Sequence, residues 1–147
     1  MEDLSKWYLN QNASKIFFLF FLGVPFYLWM YSIITELDKK NGTDNIGRKL
    51  ITKFSTFYPV FYFIAFIIYT IFNITVNNKI ELERILPFHF LAILCGLILL
   101  IISSGSLTKY ERNKNLETFG NAGNFFLLWF YLIGVWILQP KLNVYAR

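Results

Sequence analysis

The sequence predicts an all-α polytopic membrane protein, four transmembrane helices in an up-down bundle joined by short loops. Three observations carry this expectation. The 147 residues are 56% apolar, 20% aromatic and only 16% charged, where a soluble domain carries about 25% charged residues. Four apolar windows approach the length of about 20 residues that a helix needs to cross a hydrocarbon core of about 30 Å. The runs are continuous rather than alternating, which excludes strands of a membrane barrel. The whole chain, 1–147, reads as a single transmembrane domain with spans at about 16–34, 54–76, 85–104 and 120–139.

The first span carries no charge, and its length and the lack of a small-residue cleavage site argue against a secretory signal. Pro25 falls at its middle and predicts a kink there. Asn41-Gly42 supplies a helix C-cap signal. Leu4, Trp7 and Tyr8 before the span fit an interfacial segment. Ile46, Leu50, Ile51 and Phe54 then recur at helical spacing with Arg48, Lys49 and Lys53 between them, as expected of an amphipathic turn at the membrane surface. Pro59 and Pro87 fall in the first turns of the second and third spans, where a missing N–H costs little. The polar stretch from Lys109 to Asn121 is too short for a domain. Gly120 to Gly123 reads as a turn that opens the fourth helix, and Pro140 as the residue that stops it.

At about 100° per residue, Tyr58, Tyr62, Ala65, Tyr69 and Asn73 form one stripe on the second span. Lipid cannot satisfy such groups, so the stripe is expected to face protein. On the third span His89, Ala92, Gly96 and Ser103 align, with Ala92 and Gly96 forming a small-x-x-x-small packing seam. On the fourth, Asn124, Tyr131 and Gly134 share a face, and Trp129 and Trp136 point to lipid. Gly23, Tyr27 and Ile34 align on the first. The short second loop makes the second and third spans a hairpin, which predicts a polar cluster of His89, Asn73 and Tyr69, with His89 directed into protein. These residues read either as interhelical glue or as the lining of a polar pathway.

No cofactor or metal is expected. One cysteine, Cys95, excludes an internal disulfide, and one histidine excludes a two-histidine metal site. No paired carboxylate falls inside a span, and no H-E-x-x-H, G-x-S-x-G or phosphate-binding glycine loop occurs. The net charge of +5 fits contact with anionic lipid. The 14 Lys and Arg residues are spread over five short segments, which does not suit nucleic-acid binding. In the four-span topology eight of them fall in the first and third loops against six at the termini and second loop. The dense cluster from Lys39 to Lys53 tips that balance toward cytoplasmic first and third loops with both termini outside.

The segment Gly134-Val135-Trp136-Ile137-Leu138-Gln139-Pro140-Lys141-Leu142-Asn143 resembles the C-terminal ends of small bacterial inner-membrane proteins that carry a Gly-x-Trp-x-x-Gln-Pro-x-x-Asn pattern after an aromatic helix. In that pattern Gln139 satisfies terminal carbonyls and Trp136 anchors the interface. The size and span count are also similar to those of four-helix membrane components of bacterial antiphage systems. The expectation is a non-enzymatic, multi-pass inner-membrane protein acting as a homo-oligomer or as a subunit of a larger complex. The partners are the lipid bilayer and either further copies or another membrane protein. The alternative is a pore-forming or membrane-disrupting effector.

Overall fold

The computed structural model describes residues 2–76 and 82–146; the second loop lies outside the described residues. Among these, the chain forms seven α-helices and no strand: α1 (Glu2–Asn10), α2 (Ala13–Phe20), α3 (Val24–Asn41), α4 (Ile46–Thr75), α5 (Leu82–Asn113), α6 (Gly120–Trp129) and α7 (Tyr131–Ala146). Only α4 and α5 are long and apolar enough to cross a membrane.

The first and fourth apolar windows therefore differ from the expected spans: each is interrupted by a turn that reverses the chain. Along a continuous helix Phe20 and Trp29 would stand about 13 Å apart, yet their rings meet at 5.3 Å. Gly23, at φ 72°, supplies the left-handed backbone of this turn. Pro25 is not a mid-helix kink. It sits in the first turn of α3, where its fixed φ suits a helix start.

The second reversal lies at Phe130. In a continuous helix Lys141 would lie about 33 Å from Phe119, whereas its ammonium sits 4.4 Å from that ring. A Cβ built on Gly134 would lie 1.7 Å from the Leu127 carbonyl oxygen, so only glycine permits this crossing. Asn124 and Tyr131 consequently occupy different arms rather than one face. Pro140 lies inside α7 and does not stop it.

The result is one long hairpin, α4–α5, flanked by two short ones, α1–α2/α3 and α6/α7. Their open ends gather on one side. Asn41 Nδ2 donates to the Ser106 carbonyl at 2.9 Å, Lys40 donates to the Tyr145 carbonyl, and the Tyr145 hydroxyl donates to Glu111 Oε1 at 3.2 Å. At this end α3 closes as expected, with Gly42 at φ 64° and Thr43 N–H donating to the Asp38 carbonyl. The tip of the first short hairpin reaches Phe63, whose ring would lie 3.5 Å from a Cβ on Gly23. Beyond that level, among the described residues, α4 and α5 pack against each other.

A shared core joins the short hairpins to the lower half of the long one. Leu9, Ile16, Trp29, Ile33, Leu37, Leu99, Leu107, Leu128, Leu138 and Leu142 are fully buried in it. By contrast only 11% of the apolar window of α4 and 22% of that of α5 are buried. The amphipathic turn foreseen before the second span is the start of α4 itself, with Ile46, Leu50, Ile51 and Phe54 exposed. Pro59 is therefore interior to α4, and Pro87 is interior to α5. Trp7 is exposed as an interfacial residue would be, while Tyr8 is buried.

Candidate functional site

Two groups of polar side chains stand out, one halfway along the long hairpin and one at the gathered helix ends.

The first is the tyrosine ladder of α4. Tyr58 and Tyr62 stack with centroids 6.5 Å apart and planes 7° from parallel. The Tyr58 hydroxyl donates to the Phe88 carbonyl at 3.3 Å, and the Tyr62 hydroxyl meets His89 Nδ1 at 3.2 Å. The expected cluster of His89 with Asn73 and Tyr69 does not form. Asn73 lies two residues from the end of α4, about 3 Å in depth, while His89 lies seven residues into α5, about 10 Å. Asn73 instead donates to the carbonyl of Tyr69 on its own helix at 2.7 Å. His89 is exposed rather than directed into protein. Below it a cavity of about 370 Å³ is lined by Tyr62, His89, Pro59, Phe20 and Tyr131, the last two from the tips of the short hairpins. Tyr131 is held there by its rings' contacts with Phe20 and Phe26 at 5.2 and 4.6 Å.

Along α5 the packing seam takes one partner. Ala92 is buried, and a Cβ on Gly96 would touch the Tyr27 ring at 3.9 Å, so the gap left by glycine admits that ring from α3. Ser103 lies on the same helix, fully buried, with its hydroxyl unpaired among the described residues. Trp129 and Trp136 are exposed, although Trp136 also touches Phe17 at 5.7 Å.

The second group consists of buried charges that the span boundaries concealed. Asp38 accepts from Arg48, from the Ser106 hydroxyl at 2.7 Å and from the Thr43 hydroxyl at 3.1 Å, and Arg48 also reaches Ser106 Oγ at 2.9 Å. This triad ties α3, α4 and α5 together. Glu111, 0% exposed, accepts from Asn124 Nδ2 at 3.0 Å and pairs with Lys141 at 3.6 Å. Asn124 further donates to Thr108 Oγ1 at 2.9 Å. Burial and the neighbouring Glu111 carboxylate raise the Tyr145 hydroxyl well above its ordinary ionisation range. Sequence reasoning missed Glu36, Asp38 and Glu111, all buried, because each lies outside the apolar windows and within three residues of a lysine or arginine, as a solvated loop charge does.

Gln139 is the best-connected side chain. Its Oε1 accepts from Trp29 Nε1 at 2.8 Å, and its Nε2 lies within hydrogen-bond reach of the Tyr8, Leu9 and Gln11 carbonyls at 2.9–3.3 Å. The carbonyls it satisfies are those at the end of α1 and of Gln11 just beyond it, not those of its own helix.

These polar groups are arranged to hold helices, and no group of three or more His, Cys, Asp or Glu suited to a metal occurs among the described residues. No known protein family, curated protein or solved structure matches the chain.

Proposed function

We propose that this chain is a non-enzymatic, integral inner-membrane protein that works by association, as a homo-oligomer or as a subunit of a membrane complex. In this reading α4 and α5 cross the bilayer, and the two short hairpins enter it from one side. Phe63, at the level of the first tip, lies nine residues past Phe54, where the apolar part of α4 begins. That is a depth of about 14 Å, about half of the hydrocarbon core.

The observation that carries the reading is the bare upper half of the long hairpin. It bears exposed Ile64, Ile68, Ile71 and Phe72 together with Tyr69, and the tyrosine ladder and the exposed His89 stand at its base. Apolar side chains alone are content with lipid. Tyr69, whose hydroxyl has no partner among the described residues, and His89, whose Nδ1 meets Tyr62 while the ring stays exposed, are not. A second protein surface satisfies both.

The test is native mass spectrometry from mild detergent, combined with disulfide cross-linking through a cysteine introduced at Ile68. A dimer or larger species, or a retained partner, is expected. A solitary 17.4 kDa species that never cross-links overturns the proposal. A pore-forming effector is the second reading, favoured by the polar ladder lying along an otherwise apolar hairpin. It requires dye release from vesicles that His89→Ala or Tyr62→Phe diminishes without loss of assembly.

A further inference from the structure

We infer that the crevice between α3 and the start of α4 is a binding site for the headgroup of one anionic phospholipid. The inference rests on the membrane reading above. The crevice has a volume of about 250 Å³. Lys39, Arg48, Lys49 and Lys53 line it together with Asp38 and Asp44. Among the lining side chains, four cations stand against two carboxylates. Arg48 is committed to Asp38, and Lys49 pairs with Asp44 at 2.8 Å in an exposed position, a contact of small worth that an incoming anion readily displaces. Lys53 has no ion pair among the described residues.

Two further features distinguish the crevice from an ordinary basic surface. Thr52 lines its wall, is only 3% exposed and has no hydrogen-bond partner for Oγ1 among the described residues. A buried hydroxyl without a partner is costly and calls for an acceptor or donor that the chain itself does not supply. The lining is also graded. Lys39, Asp44 and Lys49 stand at the open helix ends, whereas Tyr31 and Ile34 lie two turns deeper along α3 toward the apolar half. An anion at the rim with a hydrocarbon chain running down past Tyr31 matches that gradient, and inorganic phosphate uses only its upper part. The flanking Leu50 and Phe54 are exposed beside it, as acyl-chain contacts are.

The test uses the full chain in vesicles of phosphatidylethanolamine with or without phosphatidylglycerol, followed by native mass spectrometry of the extracted protein. The wild type is expected to retain phosphatidylglycerol over phosphatidylethanolamine. A lysine near an anionic membrane surface is worth roughly fivefold in affinity, so Lys49→Gln with Lys53→Gln is expected to lower retention about 30-fold. Both side chains are exposed, and an unchanged unfolding temperature in detergent serves as the folding control. Equal retention by the double variant, or no preference between the two lipids, overturns the site. Displacement of the lipid by millimolar inorganic phosphate overturns the lipid as its source and assigns the crevice to soluble phosphate. A chain that fails to partition into either vesicle overturns the membrane reading instead, and is recognised before any lipid is counted.

Discussion

Gln139 shows how one side chain does the capping of a whole helix. The end of α1 presents carbonyls with no partner inside the helix, and burial against α7 denies them water. The amide of Gln139 answers them while its oxygen takes the indole N–H of Trp29. Replacing it with leucine, Gln139→Leu, keeps much of the volume but strands a buried indole donor and several buried carbonyls. A loss of about 2–3 kcal/mol in unfolding free energy is expected, read by thermal or denaturant unfolding in detergent. Retention of full stability refutes the capping role. The sequence made part of this legible, since a glutamine before a proline at the end of an apolar run suits a carbonyl cap. Which carbonyls it caps depends on the reversal at Phe130, and nothing in the sequence places Gln139 beside residue 8.

At the scale of elements, the helical character of all four apolar stretches was readable and the path of two of them was not. Hydropathy reports how long the apolar run is, and it is blind to a turn made of apolar residues. Phe21-Leu22-Gly23 and Phe130 are such turns. The first had a signal: glycine followed two residues later by proline is the pattern of a helix start, and the mid-span kink was the competing interpretation. The second had none, because neither glycine nor proline stands at Phe130. Its record is Gly134, whose meaning appears only once Leu127 is beside it. Gly134→Ala forces the carbonyl of Leu127 away and is expected to cost about 3 kcal/mol, the upper part of the ordinary overpacking range. The α6/α7 hairpin is expected to open first, detected as faster proteolysis after Lys114 while α4–α5 stays protected. A stable Gly134→Ala protein with an unchanged cleavage pattern contradicts the reversal. The candidate site suffered from the same blindness at a smaller scale. Starting α5 at Ile85 rather than Leu82 shifted His89 by nearly a turn and paired it with Asn73 instead of Tyr62.

For the whole molecule, the reversals change the charge balance. With α1 to α3 and α6/α7 both folded back, the ends of the chain join the first and third loops. Twelve of the fourteen Lys and Arg residues then lie on that side by sequence, and only Lys79 and Arg84 on the other. An even balance of eight against six becomes lopsided, and the basic side is expected in the cytoplasm. Single cysteines at Asn10, Thr43 and Asn78, probed with an impermeant maleimide in intact cells, check this; native Cys95 is buried. Labelling at Asn78 alone is expected. Labelling at both Asn10 and Asn78 restores the four-span arrangement and refutes the folded-back one.

In the membrane reading proposed above, the gathering of helix ends on one face also has a meaning for how the chain inserts. A chain of four spans with its ends outside must push its first charged segment, Lys6 and Lys15 included, through hydrocarbon before anything else can settle. In the proposed arrangement, the stretch to be translocated is the connection between α4 and α5 with its few charges. Each charge at the bilayer centre costs about 2.5–3.5 kcal/mol on the insertion scale, against some forty mostly apolar residues of the two helices entering together. The long hairpin can dive in as a unit, and the two short ones can follow from the face where they were made.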